Sequence, residues 1–277
     1  MKKTVERLLV KTLKMMNVDL LAHAHVQAGA GHNCYQSGEF FVADVVIAKL
    51  LGNTPSIIFD VGANIGEYTK MLNVKFPNAK IHSFEPVLVT FLQLKQHVDH
   101  PNIILNNCGF GEKAEELELF ISLDNENSAM ATLYPEALGS IFQQFKETEI
   151  EPTRCKFITI DHYCTENKIL SIDYLKIDVE GHELKVLRGA IETIRKDVVK
   201  LIQFEFNEFN IISKSFMKDF YNTLPNYSFF RIMASGHLYP LGEYTSSHEI
   251  FRYQNILAIH NSVKINLNNS FFKKPLS

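Results

Sequence analysis

The feature that most constrains the fold is the stretch Ile57-Ile58-Phe59-Asp60-Val61-Gly62-Ala63-Asn64-Ile65-Gly66-Glu67-Tyr68-Thr69. Three apolar residues in succession fit a parallel strand that is covered on both faces and has no need to alternate. Asp60 closes that strand. Gly62 and Gly66 let the backbone turn sharply and approach a neighbour where a Cβ would collide. A helix is expected from about Gly66 to Val74. Strand, glycine turn and helix together make the opening unit of a doubly wound nucleotide-binding sheet, with its ligand over the strand's carboxyl end. The spacing then chooses among ligands. A dinucleotide site uses G-x-G-x-x-G, whose turn and helix start grip a pyrophosphate. Here Asp-x-Gly-x-x-x-Gly puts an acid where a phosphate would be repelled. Such a turn suits a cationic ligand carrying an amino group, and S-adenosylmethionine, with its sulfonium and α-ammonium, fits better than a dinucleotide. An ordinary tight turn of an α/β protein is the plainer alternative.

Lys80-Ile81-His82-Ser83-Phe84-Glu85-Pro86 reads as the next strand, with Glu85 at its carboxyl end and Pro86 stopping it. In doubly wound folds an acid about 20 residues beyond the glycine turn accepts hydrogen bonds from ribose hydroxyls, and Glu85 lies near that distance. The competing reading is a surface acid that caps the following helix. Ile103 to Cys108 reads as a third strand, whose end, Asn107 and Cys108, would fall near an adenine bound over the sheet.

With 277 residues, 46% of them hydrophobic, the chain can build one sizeable core. A formal charge of -3 offers no basic field for nucleic acid. Cys34, Cys108, Cys155 and Cys164 form no C-x-x-C pair and read as reduced thiols of a cytosolic protein. No apolar run approaches the roughly 18 to 20 residues of a membrane span, and no secretory signal is expected, so a cytoplasmic location follows.

Residues 1 to about 26 carry Val5, Leu8, Leu9, Leu13 and Met16 on one stripe and read as a helix; residues 1–50 are expected to be a helical extension packing on the core. Ala28 to Asn33 is a glycine-rich loop. His23, His25 and His32 invite a metal reading, but no Cys or acid at metal-ligand spacing completes it, and a substrate-facing loop ranks somewhat above it. The catalytic domain is placed at 51–265, with a tail at 266–277. Leu117 to Ser122 alternates as an exposed antiparallel strand does, and the polar insertion at about 124–152 is where a substrate lid would sit; Tyr134, Phe142 and Phe145 in it could stack on a sugar or apolar ring. Phe157 to Asp161 reads as a short strand that brings Asp161 to a helix N-cap. Ser228 to Met233 and Gln254 to His260 read as a closing antiparallel hairpin around the Gly236 and Gly242 loops.

The second chemical centre is Ile172 to Glu183. Leu175, Ile177 and Val179 alternate with Lys176, Asp178 and Glu180, which puts three charges on one face if the segment is extended. A helix follows, with Gly189-Ala190 allowing close packing. Glu180 and Glu183 then fall at or near its N-terminus, where the dipole favours anions. Val198 to Asn207 is the next strand, with Glu205 and Asn207 at its carboxyl end on one face.

The glycine motif, Ser83-Phe84-Glu85-Pro86, Thr159-Ile160-Asp161, and above all Leu175-Lys176-Ile177-Asp178-Val179-Glu180-Gly181-His182-Glu183 with Leu187-Arg188-Gly189-Ala190 and Glu205, together resemble the FkbM-type methyltransferases. The resemblance covers roughly residues 57 to 205. It implies a class I methyltransferase (Rossmann-like) fold, doubly wound with a mostly parallel sheet, and S-adenosylmethionine-dependent O-methylation of hydroxyls on polyketides, sugars or glycans. Carried over by position, Asp60, Gly62 and Gly66 hold the methionine part of the cofactor and Glu85 its ribose, with Ala63 and Asn64 of the same turn also expected to bind the cofactor. His182 stands where many relatives have a small residue. Residues 1–50 and those after 207 match nothing specific, so the acceptor is not inherited.

An alcohol must lose a proton as the methyl group is transferred, so a base or a metal is needed. Asp178 or Glu180 is the expected base, with Lys176 or His182 tuning or sharing that role. A second route is an oxygen-rich Mg²⁺ site made of Asp178, Glu205 and Asn207. N-methylation of an amine, and a catalytically inactive cofactor-binding scaffold or sensor, remain as alternatives; clustered acids at 176–183 weigh against the scaffold.

Overall fold

The computed structural model describes residues 38–123, 129–136, 150–265 and 271–272. The helix expected over residues 1–26, the glycine-rich loop with its histidines, Cys34, and Phe142 and Phe145 of the insertion lie outside the described residues. Helix α1 runs over 39–51, with a π-helical turn at Val42–Val46. The elements after it are β1 Ile57–Val61, α2 Glu67–Lys75, β2 Lys80–Phe84, α3 Leu88–His97, β3 Ile103–Asn106, β4 Gly109–Phe110, β5 Glu115–Leu123, β6 Ala129–Thr132 and β7 Ile150–Ile158. Then come α4 Ile160–Glu166, β8 Ile172–Ile177, α5 Glu183–Arg188, α6 Ile191–Arg195, β9 Val199–Phe206, α7 Phe209–Ile212, α8 Met217–Thr223, β10 Tyr227–Met233, β11 His237–Pro240 and β12 Gln254–His260.

Eight strands form the main sheet in the order β11-β10-β12-β9-β8-β1-β2-β3. The run β9-β8-β1-β2-β3 is parallel throughout, and β12, β10 and β11 add antiparallel pairs at one edge. The strand order reverses between β1 and β8, which is the switch point where doubly wound sheets bind ligands. The expected closing pair is present, Ser228 facing Ile259, and β12 slots between β9 and β10.

Side chains of this sheet alternate between two cores. Phe59, Val61, Leu175, Ile177, Phe204 and Phe206 face α4, α5, α6 and α8. Ile58, Ile81, Tyr174, Leu201 and Ile259 face α1 and α2, where Val42, Val46, Ile47, Tyr68 and Leu72 cover them. Residues 38–50 thus belong to the fold, and α1 runs through the boundary expected at residue 50. Phe271 and Phe272, expected as tail, are buried in the same core, and Leu238 N–H donates to the Phe271 carbonyl at 2.7 Å.

Within the 124–152 insertion, β6 and the start of β7 join β4 and β5 in a second, four-stranded sheet; residues 124–128 and 137–149 lie outside the described residues. Two expectations are corrected. The third strand ends at Asn106, two residues earlier than expected, and Gly109–Phe110 pairs with β7 instead. Asp161 does not cap its own helix, where the Thr159 hydroxyl accepts from His162 N–H at 3.1 Å; its carboxylate accepts from the N–H groups of Glu192 and Thr193 at 3.0 and 2.8 Å, at the start of α6. Gly189 serves the close packing expected of it, for a Cβ there would lie 2.0 Å from the Gly111 carbonyl oxygen.

Candidate active site

The face of the sheet under α1 and α2 changes character along its strands. One row is apolar: Ile81, Ile58, Tyr174 and Leu201 sit side by side. Two residues further toward the carboxyl ends, the same face carries Ser83, Asp60, Lys176 and Gln203, again as direct neighbours. All four are buried. A polar row inside a core needs partners, and the partners found there build the site.

Asp60 is fully buried; its Oδ2 accepts from the Thr69 hydroxyl at 2.6 Å, and that hydroxyl also bonds Ser83 at 2.8 Å. Burial pushes the Asp60 carboxyl up against the pull of Lys176 and Thr69. Its Oδ1 has no hydrogen-bond partner, nor has Asn64 Oδ1 at the same turn. Gly62 and Gly66 have φ of +84° and +90°, and Asn64 one of +48°. The turn is fastened by Gly62 and Ala63 N–H groups, which donate to the Phe84 carbonyl at 3.0 and 2.9 Å. A Cβ on Gly62 would lie 1.8 Å from the Asp178 carbonyl oxygen, so the turn is pressed against the exit of β8.

Glu85 leaves β2 where the sequence places it. Its carboxyl accepts from Asn64 N–H at 3.1 Å and Val87 N–H at 2.9 Å. Burial, countered by those two N–H groups, raises it to about 7. The Asn107 amide donates to the carbonyls of Glu85 and Pro86 at 2.9 and 3.0 Å, so Asn107 braces the Glu85 turn. Cys108 faces the other way, into the core with Phe84, Phe110 and Tyr163, and burial holds its thiol at about 11. It is a packing residue, which corrects its expected position beside the adenine.

At the second centre, Lys176 Nζ lies 2.8 Å from Asp178 Oδ2 and 4.7 Å from the centre of the Tyr68 ring. Burial disfavours that ammonium, yet the carboxylates of Asp178, Glu39 and Asp60 outweigh it and hold Lys176 charged. Lys176 and Asp178 share a face as expected. Glu180 does not join them there, because β8 ends at Ile177 and Glu180 sits in the following turn with φ +51°. This left-handed backbone on a non-glycine residue is the sort of strain that gathers at functional sites. Burial, with Asp178 and Glu183 beside it, raises the Glu180 carboxyl to about 8. Glu183 opens α5, is fully buried, and accepts from the N–H groups of Val179 and Gly181, both at 3.1 Å. His182 is buried against Phe157 and 3.4 Å from the Tyr134 hydroxyl; burial lowers it to about 4, so it is neutral at pH 7 and a poor proton acceptor.

The Asp178, Glu205 and Asn207 set does not fit Mg²⁺. Asp178 is paired with an ammonium. Asn207 donates to Glu205 at 3.0 Å and accepts from Phe209 N–H at 2.9 Å, which ties up its amide. Burial, with Asp178 and Glu180 nearby, raises Glu205 well above the carboxylate range, so it favours the protonated form. Among the described residues no group of three or more His, Cys, Asp or Glu side chains could hold a metal ion.

Two participants are missed by sequence reasoning. Glu39 reaches the site from α1, in a stretch without a motif. Tyr68 lies inside the quoted motif and links α1 to β8: its hydroxyl donates to the Glu39 carbonyl at 3.4 Å and bonds the Tyr174 hydroxyl at 2.8 Å. The one signal available was Asp60 itself, since a buried acid requires donors from the first turns of the following helix.

The pattern described as the methyltransferase FkbM domain matches residues 60–230. Methyltransferase sdnD of Sordaria araneosa is 31% identical over 174 residues, covering 51% of this chain and 64% of its own length. The 31-O-demethyl-FK506 methyltransferase FkbM of Streptomyces tacrolimicus is 25% identical over 65% of this chain and 76% of its own. The hexuronic acid methyltransferase AglP of Haloferax volcanii is 25% identical over 52% of this chain and 55% of its own. The matched part thus spans less than two thirds of both sdnD and AglP. Among the described residues no helix is long and apolar enough to cross a membrane.

Proposed function

Because this chain belongs to the FkbM methyltransferase family, we propose that it transfers a methyl group from S-adenosylmethionine to a hydroxyl of a sugar, glycan or polyketide-like small molecule. The observation that carries the reading is the pair of buried, partnerless acceptors at the glycine turn, Asp60 Oδ1 and Asn64 Oδ1. An unpaired buried acceptor is costly, at roughly 1–3 kcal/mol, and an ammonium donor would relieve both. In this reading Asp60, Gly62, Ala63, Asn64 and Gly66 hold the methionine end, Glu85 takes the ribose hydroxyls, and Asn107 keeps Glu85 in place. The relatives named for 31-O-demethyl-FK506 and for hexuronic acid support a hydroxylated acceptor.

The cofactor supplies a methyl group on a positively charged sulfur. The chain's part is to align the acceptor and manage its proton. Alignment contributes up to about 7–11 kcal/mol where reacting atoms are held in line. Asp178, about a quarter exposed and fixed by Lys176, is the group best placed to take the acceptor's proton. Glu180, held at about 8, stays protonated at neutral pH and can donate a hydrogen bond to the acceptor. Tyr134 and His182 pack together beside Gly181, next to Glu180.

The test is methyl transfer from tritium-labelled cofactor to a panel of hydroxylated sugars, glycans and macrolides, with amines alongside. Label on oxygen is expected, and Asp178→Asn should cut turnover about 10²- to 10⁴-fold while cofactor affinity stays within a few-fold. Full turnover in that variant removes Asp178 as the base. Label on nitrogen alone replaces O-methylation by N-methylation.

A further inference from the structure

The turn that carries Glu180 is held from two directions. Glu180 and Gly181 take successive positive φ angles, +51° and +96°. A non-glycine residue keeps such a backbone only where its surroundings over-determine it. Glu183 supplies one side of that constraint. Its Oε1 accepts from the N–H groups of Val179 and Gly181, both at 3.1 Å, so a single oxygen clamps the residues on either side of Glu180. The second sheet supplies the other side. Thr132, the last residue of β6, is fully buried; its hydroxyl donates to the Glu180 carbonyl at 3.4 Å and accepts from Tyr134 N–H at 3.1 Å. The Tyr134 ring then closes over Gly181, where a Cβ would lie 3.3 Å from it.

A turn kept for the fold alone would be built differently. Glycine at position 180 would remove the backbone strain. Glu183, moreover, is fully buried with its second oxygen lacking a hydrogen-bond partner among the described residues, which costs stability. Resting on the methyl transfer assigned above, we propose that Thr132 and Glu183 are positioning residues for that reaction: between them they fix the backbone on both sides of Glu180 and so hold its carboxyl toward the acceptor. Neither touches the reacting atoms. β6 then supports the active-site turn through a side-chain to backbone hydrogen bond, and the second sheet takes part in the geometry of the reaction.

The experiment compares Thr132→Val, Thr132→Ser, Glu183→Ala and Glu180→Gln with the wild type in methyl transfer from tritium-labelled cofactor to the sugars, glycans and macrolides of the panel above. Rates are counted per mole of S-adenosylhomocysteine bound in isothermal titration, so unfolded protein does not contribute. Valine matches threonine in shape and lacks only the donor. Thr132→Val should lower kcat about tenfold, with the acceptor KM and the affinity for S-adenosylhomocysteine within about threefold of the wild type. Thr132→Ser should restore most of that rate, and Glu183→Ala, which frees two N–H groups, should lose more than Thr132→Val does. A second reading needs no acceptor: carbon-13 NMR of labelled glutamate carboxyls, with the Glu180 signal identified by its loss in Glu180→Gln. Glu180 is held at about 8 in the wild type by burial, with Asp178 and Glu183 reinforcing and Lys176 opposing. In Thr132→Val, which changes no charge, a loosened turn lets that carboxyl reach water, and its titration should move down toward the ordinary carboxylate range. Wild-type kcat in Thr132→Val, or an unchanged Glu180 titration there, overturns the proposal. Serine no better than valine, with kcat and cofactor affinity falling together, reduces Thr132 to a support of the fold and overturns it as well. Full turnover in Glu180→Gln removes Glu180 and its positioning residues from the reaction and leaves methyl transfer standing. No transfer by the wild type to any member of the panel overturns the methyl transfer itself, and the positioning role with it.

Discussion

At the scale of single residues, Glu180 separates stability from activity. Its left-handed backbone, φ +51°, is a conformation glycine adopts without steric cost, and the residue is half-buried beside two other acids. Glu180→Gly should therefore raise the thermal midpoint by a few degrees, about 1 kcal/mol or more, while methyl transfer falls at least tenfold. Scanning calorimetry and a rate assay on one preparation check it; a midpoint that drops, or a rate that is kept, removes Glu180 from the working site. Most of these residues were legible in the sequence. Asp60, Glu85, Lys176 and Asp178 stand at strand ends, where chain order alone fixes the level of a side chain in the sheet. Glu180 and Cys108 were misjudged for the complementary reason. Two or three residues past the end of a strand, as at Cys108 and Glu180, period-two alternation no longer decides which way a side chain points.

At the scale of elements, the site depends on how closely β1 approaches β8. Gly62 and Gly52 offer a contrast, since both have φ near +80° and only Gly62 is crowded. Gly52→Ala meets nothing within 4 Å and should cost about 1 kcal/mol, from backbone strain alone. Gly62→Ala drives a methyl group into the Asp178 carbonyl and should cost about 3 kcal/mol or more. It should also separate the cofactor turn from the Lys176–Asp178 pair, so cofactor affinity and rate fall together. Urea titrations of the two variants decide it; equal losses would mean that β1 and β8 are not held in contact through this turn. The β1 and β8 units were legible because continuous apolar runs bounded by glycines and acids have few other readings. α1 was not, because its part in the site comes from packing across the sheet and leaves no spacing signal in residues 38–51.

At the scale of the whole molecule, the buried titratable groups set opposing pH limits on the ligand-free fold. Glu39, Glu85 and Glu183 at about 7, and Glu180 at about 8, hold protons in the folded state that the unfolded chain releases near 4.5. Their contribution is complete below pH 4.5 and is lost as pH rises through 7 to 8. His82 and His182, at about 4 against 6.5 unfolded, act the other way: their contribution is present above 6.5 and is lost as pH falls through 4. The thermal midpoint without ligand should therefore be higher near pH 6 than at pH 8, and a midpoint that climbs steadily from pH 6 to pH 8 contradicts this assignment of the buried carboxyls. The doubly wound sheet and its switch point were legible from the order of apolar runs. The second sheet was not, since β7 pairs back with β4 and β5 across a long intervening sequence that is polar. The central claim is that the glycine turn and the Glu85 turn together bind the cofactor. Isothermal titration with S-adenosylhomocysteine, on the wild type and on Asp60→Ala and Glu85→Ala, tests it most directly. Micromolar binding by the wild type, weakened about a hundredfold in both variants, is the expected result; no binding by the wild type, or equal binding by all three proteins, contradicts it.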